Sequence, residues 1–155
     1  MYNIIRTFAV TFLFATSLIM PVTGWSQDSQ EAFPKTIKHA FGTTTIERKP
    51  ERVATVAWAN HEVPLALGVV PVGFASAGFG DEPDVILAAY SGLSQADYDT
   101  LSMIAPVVAY PDSPWSTDWR EMIRVNSSGM GMTAEGDALI ERLEAQITES
   151  VADYP

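Results

Sequence analysis

Pro83 to Pro111, PDVILAAYSGLSQADYDTLSMIAPVVAYP, constrains the fold more than any other stretch of this chain. Val85 to Ala89 is an unbroken apolar run with β-branched members, the composition of a strand buried on both faces. Tyr90-Ser91-Gly92 breaks the run. Ser94 followed by Asp97 is a capping-box-like start, and Tyr98, Leu101 and Ala105 put an apolar stripe on the helix it opens. Pro106 stops that helix, and Val107 to Tyr110 reads as the next strand. Strand, helix and strand of this length make a parallel, right-handed βαβ unit. Such a unit delivers Tyr90-Ser91-Gly92 and the Pro111–Trp115 loop to one edge. That edge lies outside the carboxyl ends of the strands, where open α/β sheets bind ligands.

The flanking segments extend the same pattern. Thr36 to Phe41 alternates, with Ile37, His39 and Phe41 on one face. A turn at Gly42-Thr43 and a return through Thr44–Ile46 would complete a β-hairpin. Lys49-Pro50-Glu51-Arg52 is a polar connection. Val53 to Trp58 reads as a strand, Asn60 as the cap of a helix from His61 to Leu67 stopped by Gly68, and Val69 to Ala75 as another strand. A second βαβ unit therefore runs from Pro50 to Ala75, and two in succession predict an α/β domain with a central, mostly parallel sheet flanked by helices. Beyond the rigid Pro111–Trp115 loop, Thr117 can cap a helix carrying Trp119, Met122 and Ile123. After the interruption at Gly129–Gly131, Thr133 can cap a last helix. There Ile140, Leu143, Ile147 and Val151 share one stripe, while Glu141, Arg142, Glu144 and Glu149 face water.

The amino terminus has a different character. Arg6 precedes an apolar run from Thr7 to Met20, and Pro21, Gly24 and Ser26 follow, the layout of a cleavable Sec signal peptide. The run is short for a transmembrane helix, which needs about 20 apolar residues. Cleavage is expected between Gly24 and Gln27. The chain has no cysteine, which excludes a lipoprotein anchor, a disulfide framework and thiolate metal ligation. Removing Arg6 with the signal moves the net charge from −10 to −11. So acidic a chain is a poor partner for nucleic acid or an anionic membrane surface. The expected division is a signal peptide over 1–26, a disordered mature N-terminus over 27–35, an α/β binding lobe over 36–132, and a terminal helix over 133–155.

KPERVATVAW, ALGVVPVGFA, PDVILAAYSG, IAPVVAY and the terminal ALIERLEAQI, in that order, resemble class III periplasmic substrate-binding proteins, the receptors of iron–siderophore, haem and cobalamin ABC importers. YSGLSQADYDTLSMIAPVVAYPDSPWSTDW resembles the ferric-siderophore branch most. The resemblance implies two α/β lobes joined by one long helix with the ligand between them. This chain would be the N-terminal lobe, ending inside the connecting helix. Phe79-Gly80-Asp81 runs directly into Glu82-Pro83-Asp84, where the family has a helix and a strand. That gap reads as an internal deletion that takes the expected permease-docking acid with it.

Trp58, Tyr90, Ser91, Gly92 and Trp115 all fall at strand ends on the expected binding edge. Aromatic rings there would give flat, low-entropy contact for a bulky chelate. No Lys or Arg occurs between Arg52 and Arg120, so the edge is uncharged or acidic unless Arg120 reaches it. An anionic chelate such as ferric citrate would need an Arg clamp, whereas a hydroxamate complex is closer to neutral. Trp119, on the apolar stripe of its helix, reads as core. Catalysis has no constellation. His61-Glu62 lacks the second His, since Leu65 holds its place. Gly73–Gly78 does not fit a nucleophile elbow, and Gly78-Phe79-Gly80 lacks the remaining residues of a nucleotide loop.

The resemblance therefore implies a monomeric, periplasmic binding component of a ferric-siderophore importer. It would dock on an inner-membrane ABC permease, with the iron held by the chelator and no cofactor of its own. One lobe alone should bind weakly or not at all. The rival readings are an inert product of a truncated gene, a haem- or cobalamin-binding relative, and, with least support, a small periplasmic enzyme.

Overall fold

The structure, a computed structural model, describes residues 31–74 and 82–152. The signal peptide, the glycine-rich 75–80 segment and the Phe79-Gly80-Asp81 junction lie outside the described residues. Four short strands form one parallel sheet: β3 (Val53–Thr55), β4 (Gly73–Phe74), β5 (Val85–Ala88) and β6 (Val107–Ala109), in the order β4-β3-β5-β6. Helix α1 (Glu62–Ala66) links β3 to β4, and α2 (Gln95–Ser102) links β5 to β6, so both expected βαβ units are present. The strands are shorter than the apolar runs that announce them. The β3 ladder stops at Thr55, and Val69 to Val72 is not strand.

Both faces of the sheet are covered, which is why β5 can be apolar at every position. Val53, Val85, Leu87 and Val108 pack on one side with α3 (Trp119–Gly129) and α4 (Thr133–Ala152). Ala54, Ile86, Ala88 and Val107 pack on the other, with Tyr98 and Leu101 of α2 against them. Gly129 lets α3 come this close, because a Cβ there would stand 2.8 Å from Leu87 Cδ2. Burial of a side chain such as Leu87 contributes about 1.5–3 kcal/mol.

The hairpin of β1 (Lys35–His39) and β2 (Gly42–Ile46) is antiparallel. Its turn is Ala40-Phe41 rather than Gly42-Thr43. Gly42, at φ 122°, begins β2 and pairs with His39. The hairpin covers the outer edge of β6, where the Ala40 amide donates to Tyr110 O (3.0 Å) and Thr44 Oγ1 donates to Val107 O (2.7 Å). An edge strand is thereby kept from pairing with other chains. His39 is buried beneath it. Its Nδ1 accepts from the Phe41 amide and its Nε2 lies 2.9 Å from Thr44 Oγ1, and burial pushes the pKa of the imidazole below its ordinary value.

Three caps differ from expectation. Ser94 and Asp97 do form a reciprocal capping box on α2. At α3, however, Asp118 is the cap, accepting from the Glu121 amide, while Thr117 donates its hydroxyl to Ala89 O at 2.6 Å. Asn60 does not cap α1 either, because its side chain is committed elsewhere. The α4 amide of Thr133 is met by the Glu31 carboxylate, which also pairs with Lys35. Glu31 to Lys35 are thus tied to the body, contrary to the expected disordered stretch ending at 35. α4 buries Leu139 and Ile140, but Ile147 and Val151 stand 53% and 56% exposed, so the distal half of its stripe lacks a cover among the described residues.

Candidate functional site: an aromatic rim at the carboxyl edge of the sheet

The parallel register puts the loops after β3, β5 and β6 at one edge. Tyr90, two residues past β5, and Trp115, in the loop after β6, meet there edge to face, with ring centroids 5.4 Å apart at 77°. The Trp115 amide donates to Ser91 O at 3.0 Å, which pins the two loops together. The Trp115 indole sits against Gly92, where a Cβ would stand 2.3 Å from Nε1 and 2.6 Å from Cε2. Only glycine leaves room for the ring in that place. Ser91 supports the rim from inside: it is fully buried and its hydroxyl donates to Ala88 O at 2.8 Å. Its side chain is therefore turned away from the edge, and its expected ligand contact becomes a structural one.

Trp58 extends the rim. It lies three residues beyond β3, is 77% exposed, and sits between Ala57 (φ 62°) and Ala59 (φ 63°). Trp115 is also left-handed, at φ 60°. Those three are the non-glycine residues with positive φ among the described residues, and all belong to this rim. Each costs on the order of 1–3 kcal/mol, a cost that survives where surrounding structure holds the backbone and that clusters at ligand clamps.

Arg120 is not brought to the aromatic pair. Its Nε is bonded to Glu144 of α4, and its guanidinium stacks over the Trp119 ring at 4.2 Å. The adjacent group is acidic: the Glu121 amide at the start of α3 holds the Asp118 carboxyl below its usual value. The rim is aromatic and neutral to acidic, suited to a bulky ligand without strong negative charge. Trp119 is half-buried against the core, as its stripe predicts. It also lines a separate apolar groove of about 420 Å³ between α1, α3 and α4.

Asn60 is the site residue that the sequence concealed. It is fully buried, and its carboxamide donates to Val56 O and Tyr90 O (both 2.8 Å) while accepting from the Tyr90 amide (2.9 Å) and from Asn126 Nδ2 (3.1 Å). An amide side chain within VAWANHEV, an otherwise mostly apolar context, was the available signal, but a helix cap explained it equally well.

A parallel sheet covered on both faces, with an aromatic rim at its carboxyl edge, defines an α/β lobe with a candidate ligand-binding edge. Residues 81–155 match the family model described as periplasmic binding protein, which places that part of the chain in the family. Among curated proteins no match is found. The chain is similar to the iron uptake ABC transporter substrate-binding protein PiaA of Streptococcus pneumoniae TIGR4, with 45% identity and a TM-score of 0.73 over 78% of this chain and 53% of that one. The same protein in complex with ferrichrome gives 44% identity and a TM-score of 0.71 over 77% and 52%. A periplasmic solute binding protein of Mycobacterium smegmatis matches at 27% identity and a TM-score of 0.68, over 83% of this chain and 56% of that one. The chain thus spans about half the length of the solved proteins it resembles. These relatives are solute-binding proteins rather than enzymes, and among the described residues no helix is long and apolar enough to cross a membrane.

Proposed function

We propose that this chain supplies one wall of a ferric-siderophore binding cleft in an exported component of an ABC iron importer. The observation that carries the reading is the Tyr90–Trp115 pair seated on Gly92 at the sheet's carboxyl edge. Exposed Trp58 widens that surface, and Arg120, the nearest basic residue in sequence, is spent on Glu144. A hydroxamate chelate fits this surface: it is bulky, carries little net charge, and offers apolar faces to rings and carbonyl oxygens to donors. Similarity to a protein crystallised with ferrichrome supports the same class. The iron stays with its chelator, so the chain contributes neither metal ligands nor a cofactor. Trp58, Tyr90, Gly92 and Trp115 make the contacts, and Ser91 holds them in place. The receptor acts as a monomer in the periplasm, where its signal peptide delivers it, and hands the chelate to an inner-membrane permease.

A binding site normally covers most of a ligand of this size, and one wall covers far less. Ferrichrome titrated into the purified chain should therefore quench tryptophan fluorescence weakly, without saturating at low micromolar concentration. The weak quenching should disappear in Trp115→Ala, and ferric citrate should give less. Low-micromolar binding would contradict the single-wall reading. Quenching that is indifferent to Trp115 would contradict the site.

A further inference from the structure

The loops after β3 and β5, which carry Trp58 and Tyr90, have no direct ladder between them. The parallel pairing of β3 with β5 ends where the Val56 amide donates to Leu87 O (3.0 Å), and beyond it the chains diverge. Asn60 occupies the gap. It pairs with both backbone groups of Tyr90, as a strand neighbour would, and at the same time holds Val56 O, while its own amide donates to Trp58 O at 2.9 Å. We infer that Asn60 is a positioning residue, a side-chain splice that continues the β3–β5 ladder past its end and fixes the Trp58 loop against Tyr90.

Two further features favour this assignment. Both donors and the acceptor of Asn60 are used, which leaves the amide only one orientation. Asn126, also fully buried, gives its Nδ2 to Asn60 while its own Oδ1 is left without a partner among the described residues. A buried polar atom left unpaired is costly, and here the cost accompanies a contact that locks the splice from α3. The left-handed Ala57 and Ala59 flank the Trp58 carbonyl that Asn60 holds, so the strained turn and the splice form one device.

The importance of this spacing for ligand binding rests on the function proposed above, but the splice itself does not, and the test separates them. Hydrogen exchange of the Tyr90 amide is compared with that of Ile86 in β5, which donates to Pro106 O. In Asn60→Ala the Tyr90 amide should exchange at least about tenfold faster relative to Ile86. Val63→Ala, a buried change on α1 that removes none of these side-chain hydrogen bonds, should lower stability and leave that ratio unchanged. If Asn60→Ala does not fold, the near-isosteric Asn60→Asp keeps an acceptor for the Tyr90 amide but, with at most the one O–H of its protonated form, cannot hold both Val56 O and Tyr90 O. Its Trp58 and Trp115 indole NMR signals should then move while Tyr90 stays protected. An unchanged ratio in Asn60→Ala, the same change in Val63→Ala, or unmoved indole signals in Asn60→Asp would overturn the splice. Ferrichrome titration reads the other claim: quenching that is indifferent to Trp115, alongside a changed exchange ratio, refutes the function and leaves the splice standing.

Discussion

Adding one methyl group at Gly92 should displace Trp115 and little else. The new Cβ would lie 2.3 Å from the indole Nε1, while carbon contacts settle at about 3.5–4.0 Å, so the ring must retreat by more than about 1 Å. The Trp115 backbone cannot follow easily, because its amide is bonded to Ser91 O and its φ is already 60°. The ring is 52% exposed, so rotating it into solvent is the easiest escape. The loss is then the edge-to-face contact with Tyr90, worth about 0.5–1.5 kcal/mol, plus part of the indole's burial. Gly92→Ala should therefore cost about 1–2 kcal/mol in denaturant unfolding, red-shift the tryptophan emission and flatten the near-UV dichroism. A double-mutant cycle sharpens the test: in a Trp115→Ala background the same methyl should cost less than about 0.5 kcal/mol. An equal cost in both backgrounds would show that something other than the indole occupies the space above Gly92.

Acid should loosen the hairpin before it touches the rest of the fold. His39 is held neutral with its pKa below the ordinary 6.5, so the unfolded chain binds the extra proton first and stability falls as pH drops below about 6.5. Thermal melts from pH 8 to 5 should show that slope, and His39→Gln should remove it; a slope unchanged by the substitution would assign it to another group. The two halves of the α4 stripe should respond differently to truncation. Leu139→Ala, at 4% exposure, should cost about 2–5 kcal/mol in denaturant unfolding, whereas Ile147→Ala, at 53%, should cost less than about 1 kcal/mol. Equal costs would mean that Ile147 is covered in solution.

Local signals survived best in the step from sequence to structure. The Ser94–Asp97 capping box, the two βαβ units and the buried β5 all rest on neighbours within a few residues, and each is present. The errors came where one residue type serves two purposes. Thr117 and Asp118 are adjacent and both able to cap, and only the fold decides that Thr117 turns back to Ala89. Asn60 looks like a cap because a carboxamide that can satisfy a helix amide can equally satisfy the backbone of a loop 30 residues away. The strands are shorter than their apolar runs because those runs continue past the point where the short parallel ladder ends. The rim itself was legible as a set of residues at strand ends, but the seating of Trp115 on Gly92 and the inward turn of Ser91 depend on contacts that no spacing encodes.

The central claim is that ligand meets this chain at the aromatic rim and nowhere else. High-spin ferric iron broadens nearby NMR signals, so ferrichrome added in excess to the isotope-labelled chain marks its own resting place even when binding is weak. Broadening should concentrate on Trp58, Tyr90, Gly92 and Trp115, and the gallium complex, which lacks unpaired electrons, should shift the same signals without erasing them. Broadening centred instead on Trp119, Leu143 and Ile147, in the groove between α1, α3 and α4, would contradict the account.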